Sequence, residues 1–311
     1  MKPACLRITG PTIFEFDSFL DPVCAIIDDH VGHDGNRAGF DHLNHLITKS
    51  PNTRVFIEYC NSNECDTAIP IPWWAIQEVE RLKKHPEAMW TEKTSAFSFM
   101  INKLRHSREF LMRLLDELDI STTTYSLVSS EFNNHKPKYW EHSDSITLKD
   151  SINNHSYSNI AIYNQYTRDH IFFTSYVHLI TEPGWLEEST FITEKSIFPF
   201  DAGNIPIWCG GWKQPSYFRK MGFDVFDDIV DHSYEDLNSP KERIVQAVVR
   251  NKNLLKNKHL AAEFFNKNRD RFEANRKLLR SDYLLDFYVN KINDLQLDDY
   301  YKKNLLELLY A

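Results

Sequence analysis

The chain has 311 residues, 42% hydrophobic and 26% charged, the make-up of a folded chain of about two domains, which excludes a disordered or low-complexity protein. Its formal charge of −8, from 36 Lys and Arg against 44 Asp and Glu, disfavours a bulk electrostatic grip on nucleic acid. The 9 glycines form no G-x-G-x-x-G and no G-x-x-x-x-G-K-[ST], and neither G-x-S-x-G nor H-E-x-x-H occurs, so the usual marks of dinucleotide binders, P-loop proteins, α/β-hydrolases and zincins are missing.

Residues 23–28 (VCAIID) predict a short buried strand, followed by the polar loop DHVGHDGN. Phe40, Leu43, Leu46 and Ile47 recur at helical spacing and predict a helix over 37–49, stopped at Ser50-Pro51-Asn52. Residues 54–60 (RVFIEYC) predict a second strand, which completes a βαβ unit. A charged helix over 75–84, a strand over 96–102, an amphipathic helix over 107–119 and a strand over 124–128 continue the alternation, so a first α/β domain is expected over 1–128. A polar stretch rich in Asn, Ser and His then predicts a linker or insertion over 129–160.

The second block opens with TSYVHLITE (174–182), a strand with a polar end. A helix over 194–203, a strand over 205–210, a helix over 215–222 closed by glycine, and a strand or turn over 223–230 follow. From 240 the pattern is helical. A second domain is expected over 161–285, with a C-terminal helix over 286–311. Two α/β blocks with a helical tail fit two facing Rossmann-like domains, whose ligands bind at the carboxyl ends of the strands. The odd, scattered set Cys5, Cys24, Cys60, Cys65 and Cys209 fits reduced thiols. The opening MKPACLRITG lacks the apolar core of a signal peptide, and no apolar run approaches the ~18 residues of a membrane span, so a cytoplasmic protein is expected.

The densest chemistry lies in Glu188–Phe200 (ESTFITEKSIFPF) and the following Ala202-Gly203-Asn204-Ile205-Pro206-Ile207. Thr193 can cap a helix, with Glu194 and Lys195 in its first turn. Free N–H groups and the helix dipole favour an anion there by roughly 0.3–1 kcal/mol. A lysine at that positive pole is unfavourable for the helix alone, a local conflict expected where an anion such as a diphosphate arrives. Glu194 can accept bonds from two ribose hydroxyls.

The run F-x-T-E-K (191–195), the short spacer and the following G-N-I-P-I-W-C-G (203–210) resemble the donor-binding motif of the α1,3-fucosyltransferases and their bacterial and phage relatives. YFRKMGFDVFDDIVDHSYED (217–236) is similar to the continuation in microbial and viral members, and SFMINKLRHSREFLMRLLDEL (98–118) to the segment that carries an arginine to the diphosphate. The resemblance covers roughly 96–275. It implies an α/β fold of GT-B type, with an N-terminal acceptor domain and a C-terminal donor domain, and an inverting glycosyltransferase that uses a nucleotide-diphosphate sugar with no cofactor or metal. Lys195 would then hold the diphosphate, Glu194 the ribose, and Arg105 or Arg108 would add the second cation beside Thr193. The implied reaction is one displacement at the anomeric carbon, in which each preorganised charge on the leaving group contributes about 3–4 kcal/mol. No D-x-D occurs anywhere in the sequence.

The base should come from the first domain. Glu64 ranks first and Asp29 second, ahead of Glu58 and Asp28 as further carboxylates at strand ends. Asp28, His33 and Gly35 are candidates for contact with the acceptor, which is a glycan, a small molecule or modified DNA. Two other readings compete. In one, the acceptor is a hydroxymethylated base in phage DNA, gripped with help from the basic stretch 254–280. In the other, the cluster Asp28, Asp29, His30, His33, Asp34, Asp41, His42 and His45 binds a metal for hydrolysis.

Overall fold

The computed structural model describes residues 5–8, 24–27, 54–57, 60–61, 68–70, 73–100, 106–120, 125–126, 171–182, 189–190, 192–294, 299 and 302–303. The expected helix over 37–49 and the linker over 129–160 lie outside these residues. The chain is mixed α/β with parallel strands. A first sheet sets β1 (Cys5–Ile8), β2 (Cys24–Ile27), β3 (Arg54–Ile57) and, beyond β4 (Cys60–Asn61), β5 (Ala68–Pro70) side by side in parallel.

Next come α1 (Trp73–Lys83), β6 (Ser95–Met100), α2 (His106–Glu117), β7 (Tyr125–Ser126), α3 (Ile171–Thr174), β8 (Ser175–Ile180), β9 (Ser189–Thr190), α4 (Glu194–Asp201), β10 (Ile205–Trp208) and α5 (Gln214–Lys220). The tail is helical: α6 (Pro240–Arg250), α7 (Lys252–Lys256), α8 (Lys258–Lys267), α9 (Arg269–Arg280) and α10 (Tyr283–Asn293). The second sheet has the order β10-β8-β6-β7, and all its pairings are parallel.

Two boundaries differ from the sequence expectation. The expected first domain, 1–128, includes β6 and β7, yet these strands join the sheet of β8 and β10, so the change of sheet falls between Pro70 and Ser95. The boundary expected at 285 falls inside α10. The segment 223–230 is a turn, not a strand. Strands β1 and β5 were not legible as strands, because four residues with a central arginine, or three ending in proline, carry no period.

The order of the second sheet creates a switch point. From β6 the chain crosses through α2 to β7 on one side, and from β8 through α4 to β10 on the other. Right-handed crossovers in opposite directions put α2 and α4 on opposite faces. The packing agrees, with α2 against α6 and α4 against α1 and α9. The carboxyl ends of β6 and β8 therefore flank the place where such sheets bind ligands.

Covering on both faces explains the strand sequences. All of β8 (SYVHLI) and β10 (IPIW) is buried, so neither alternates apolar and polar residues. Pro206 lacks an N–H and is tolerated because β10 is an edge strand. Behind α4 the aromatics interlock: Phe200 lies 5.2 Å from Phe218 and 4.8 Å from Phe223, and Trp208 stacks on Phe218 at 5.1 Å.

Buried charge clamps the far end of α4. Asp201 accepts from Arg276 and from Arg280, both on α9, and the Trp90 indole donates to its carbonyl at 2.9 Å. Lys93 Nζ donates to the carbonyls of Ala202 and Gly203, each at 2.8 Å, where the helix exposes its orphan acceptors. Burial, with Arg276 nearby, holds the Lys93 ammonium well below the usual lysine range, and a neutral amine still has the donors both carbonyls need. Gly203 has φ +66, and a Cβ there would lie 2.9 Å from Trp90, so only glycine fits.

Asp201→Asn would remove the buried counter-charge that two largely buried guanidinium groups share. The expected loss in unfolding free energy is about 3–5 kcal/mol by urea denaturation. A loss under about 1 kcal/mol contradicts the clamp.

Candidate functional site

The amino end of α4 begins where β8 runs out. Thr193 is the helix N-cap, extended at φ −121, ψ −173, and its hydroxyl accepts from Lys195 N at 3.3 Å. Glu182, two residues past β8, reaches across to this cap. Its Oε1 accepts from Thr193 N at 2.8 Å and from Ser196 Oγ at 2.6 Å, and its Oε2 accepts from Thr193 Oγ1 at 2.6 Å. The Trp208 indole at the end of β10 donates to Ser196 Oγ at 3.1 Å. One carboxylate and one indole thus fix the cap to the ends of two neighbouring strands.

Lys195 and Glu194 are both buried, and Lys195 Nζ donates to Glu194 Oε1 at 2.5 Å and to Thr193 Oγ1 at 3.4 Å. Arg108, in the first turn of α2, is buried too, and its Nη2 donates to the carbonyl of Thr181 at 3.2 Å, one residue from Glu182. Arg108 thus bonds the chain just past β8, and Lys195 bonds the cap that Glu182 holds. Each sits at the positive dipole end of its helix.

Negative groups stand close by. Burial pushes the Glu182 carboxyl above the usual carboxylate range. Lys195 opposes the push, Glu194 adds to it, and the Ser196 and Thr193 bonds pull against it. Glu78 is buried on α1, which packs on both α4 and α9. Burial raises it from 4.5 to about 7 against the pull of Arg81, with Glu194 adding to the rise and Lys195 opposing it.

Of the residues proposed from sequence, Thr193, Glu194 and Lys195 come together, and Arg108 bonds the carbonyl of Thr181, next to Glu182. Arg105, Glu64, Asp29, Asp28, His33 and Gly35 lie outside the described residues, as does the rest of the His/Asp cluster. The backbone gives one further link: β4 pairs antiparallel with β9, Cys60 opposite Thr190, so the chain just beyond β3 runs beside the approach to Thr193.

Sequence reasoning passed over Glu78 and Glu182. Both had a signal. Glu182 is the polar end of an otherwise apolar strand run, and Glu78 stands at i+3 from Ala75 and i−4 from Leu82, on the buried stripe of α1.

The stretch 217–236 builds no comparable site, although a cavity of about 520 Å³ opens over it. Its acids are engaged: Asp227 and Glu235 by Arg219, Asp224 and Asp228 by Arg271, Asp231 by Arg250. The hydrogen bond from Arg219 above all holds the Asp227 carboxyl down at about 2. The arginines of α9 are likewise engaged within the chain: Arg276 and Arg280 on Asp201, Arg271 on the turn, Arg269 on the carbonyl of Trp90 at 3.4 Å. Among the described residues no helix is long and apolar enough to cross a membrane, and no group of three or more His, Cys, Asp and Glu is placed to hold a metal ion. No protein-family model, curated protein or solved structure matches the chain.

Between pH 4.5 and about 7 the folded chain holds the Glu78 proton that the unfolded chain has lost. The stability from this carboxyl is complete below the lower value and is lost as the pH rises through the upper one. Glu78→Gln keeps the shape without the charge. Its unfolding free energy relative to wild type is expected to improve by about 3 kcal/mol between pH 4 and pH 8.5 in paired urea titrations. A difference that stays constant with pH contradicts the assignment.

Proposed function

We propose that the chain is an inverting glycosyltransferase of GT-B architecture that moves a sugar from a nucleotide-diphosphate sugar to an acceptor hydroxyl. The observation that carries this reading is a buried lysine in the first turn of α4 and a buried arginine in the first turn of α2, the one bonded to the cap held by Glu182 and the other to the adjacent Thr181 carbonyl, at the switch point of a parallel sheet. A buried ammonium, a buried guanidinium and two positive helix-dipole ends suit a diphosphate better than a single charge, because its negative charge spreads over several oxygens.

In this reading Lys195 exchanges its bond to Glu194 for a phosphate oxygen, and Glu194 turns to the ribose hydroxyls. Arg108, or Arg105 nearby in sequence, supplies the second cation. As the bond from the anomeric carbon to the diphosphate oxygen breaks, the electron pair leaves with the nucleoside diphosphate. Lys195, the arginine and the end of α4 take up that growing charge. The acceptor oxygen bonds to the anomeric carbon from the opposite face, which inverts it, and its proton passes to a carboxylate, assigned to Glu64 and then to Asp29. Positive groups of the chain supply what a divalent cation supplies in other transferases.

Internal pairing of the α9 arginines bears on the acceptor. These side chains are held by Asp201, Asp224, Asp228 and the carbonyl of Trp90, which favours a glycan or small-molecule hydroxyl over a duplex gripped along 254–280.

A thermal-shift panel of nucleoside diphosphates and their sugars is expected to single out one base, since a ligand at 100 times its Kd adds about 2.7 kcal/mol to stability. With that donor, Lys195→Ala is expected to keep the fold and lose about two orders of magnitude in turnover. A panel with no stabilising nucleotide, or near wild-type turnover in the variant, contradicts the assignment.

A further inference from the structure

Most buried hydroxyls beside the second sheet have partners. Those of Ser98 and Ser175 bond each other across β6 and β8, and those of Thr193 and Ser196 donate to Glu182. Two do not. Thr181 Oγ1, just past β8, and Ser107 Oγ, in the first turn of α2, are buried and have no hydrogen-bond partner among the described residues.

One bond joins the two positions. Arg108, the residue after Ser107, donates from Nη2 to the carbonyl of Thr181 at 3.2 Å. The nearest acceptors along the chain are already in use: Arg108 is on the Thr181 carbonyl, and Thr193 and Ser196 are on the two oxygens of Glu182. Side chains alternate between the faces of a strand and its extension, so with Glu182 turned to α4 that of Thr181 falls on the face of α2 and Arg108. A buried hydroxyl without a partner costs stability, and valine at 181 with alanine at 107 would avoid the cost. Both stand at the switch point of the sheet, where a ligand can supply the missing acceptor.

We propose that Thr181 and Ser107 are ligand contacts whose hydroxyls donate to the phosphate lying toward α2, beside Arg108, and that they make the site select a diphosphate over a monophosphate. The proposal rests on the glycosyltransferase reading for its ligand and takes Arg108 as the second cation. A phosphate oxygen has lone pairs enough to accept from a guanidinium and a hydroxyl together, and bonds to an ionised acceptor are the strong ones. Hydroxyls also add donors without adding a further buried charge. A nucleoside monophosphate meets Lys195 with its one phosphate and leaves both hydroxyls as they are. A diphosphate satisfies both. The two residues therefore read the length of the phosphate chain and take no part in the displacement.

The test is calorimetric titration of uridine, guanosine and adenosine diphosphates, and of the matching monophosphates, into wild type, Thr181→Val, Thr181→Ser and Ser107→Ala. Wild type is expected to bind one diphosphate about tenfold or more tighter than its monophosphate. Thr181→Val and Ser107→Ala are each expected to weaken that diphosphate about tenfold, the loss of one hydrogen bond to a charged group, and the monophosphate by less than about twofold. Thr181→Ser keeps the hydroxyl and is expected to bind as wild type does. Without ligand, Thr181→Val is expected to melt no lower than wild type. Equal effects on diphosphate and monophosphate, or none on either, overturn the proposal and leave the site standing. A loss in Thr181→Ser as large as that in Thr181→Val assigns the effect to packing and overturns it. So does a Thr181→Val chain that melts well below wild type or fails to fold, since its hydroxyl then has a partner within the fold. Binding of no nucleotide by wild type overturns the proposal together with the reading beneath it.

Discussion

The carboxylate of Glu182 ties the end of a central parallel strand to the start of the helix that follows it, and the candidate site depends on that tie. Through the bonds to Thr193 and Ser196 it sets the direction in which α4 enters the sheet. At the other end of the same short helix Lys93, Trp90, Arg276 and Arg280 hold its last turn. Pro199 sits inside these eight residues, where it removes one helical hydrogen bond, so external anchors matter more here than in a longer helix. A helix fixed at both ends presents its first N–H groups in a constant direction, which an anion-binding site requires.

That rigidity is bought with electrostatic conflict. A lysine stands at the positive pole of α4, and Glu78, Glu182 and Glu194 are all buried around it. For folding alone, leucine or alanine at several of these positions would serve better. Conflict of this kind, concentrated at the carboxyl end of a parallel sheet where two crossovers diverge, is the pattern expected of a ligand site and not of a core. Elsewhere the chain resolves its charges in pairs, as the arginines and aspartates of 219–250 do on the surface.

What the sequence made readable, and what it hid, follows from range. Local chemistry was readable: Thr193 as a cap, Glu194 and Lys195 in the first turn, β8 and β10 as strands, α2 as an amphipathic helix. Each is written within about ten consecutive residues. Pairings between distant segments were hidden. That β6 and β7 belong with β8 and β10 cannot be read from alternation, since any parallel strand has the same pattern. Glu182 marked a strand end, but its partners lie 11 and 14 residues on and become visible only once the helix folds back. Glu78 resembled any charged residue on a helix until α1 was seen packed on α4. The turn over 224–228 was legible, but not that its acids are held by arginines on α5, α6 and α9.

The most direct measurement of the central claim is a crystal structure of the chain soaked with the nucleoside diphosphate that stabilises it. Both phosphates are predicted within hydrogen-bond distance of Lys195 Nζ, with a guanidinium from the start of α2 completing the shell. A nucleotide bound elsewhere, with Lys195 still held by Glu194, would contradict the account.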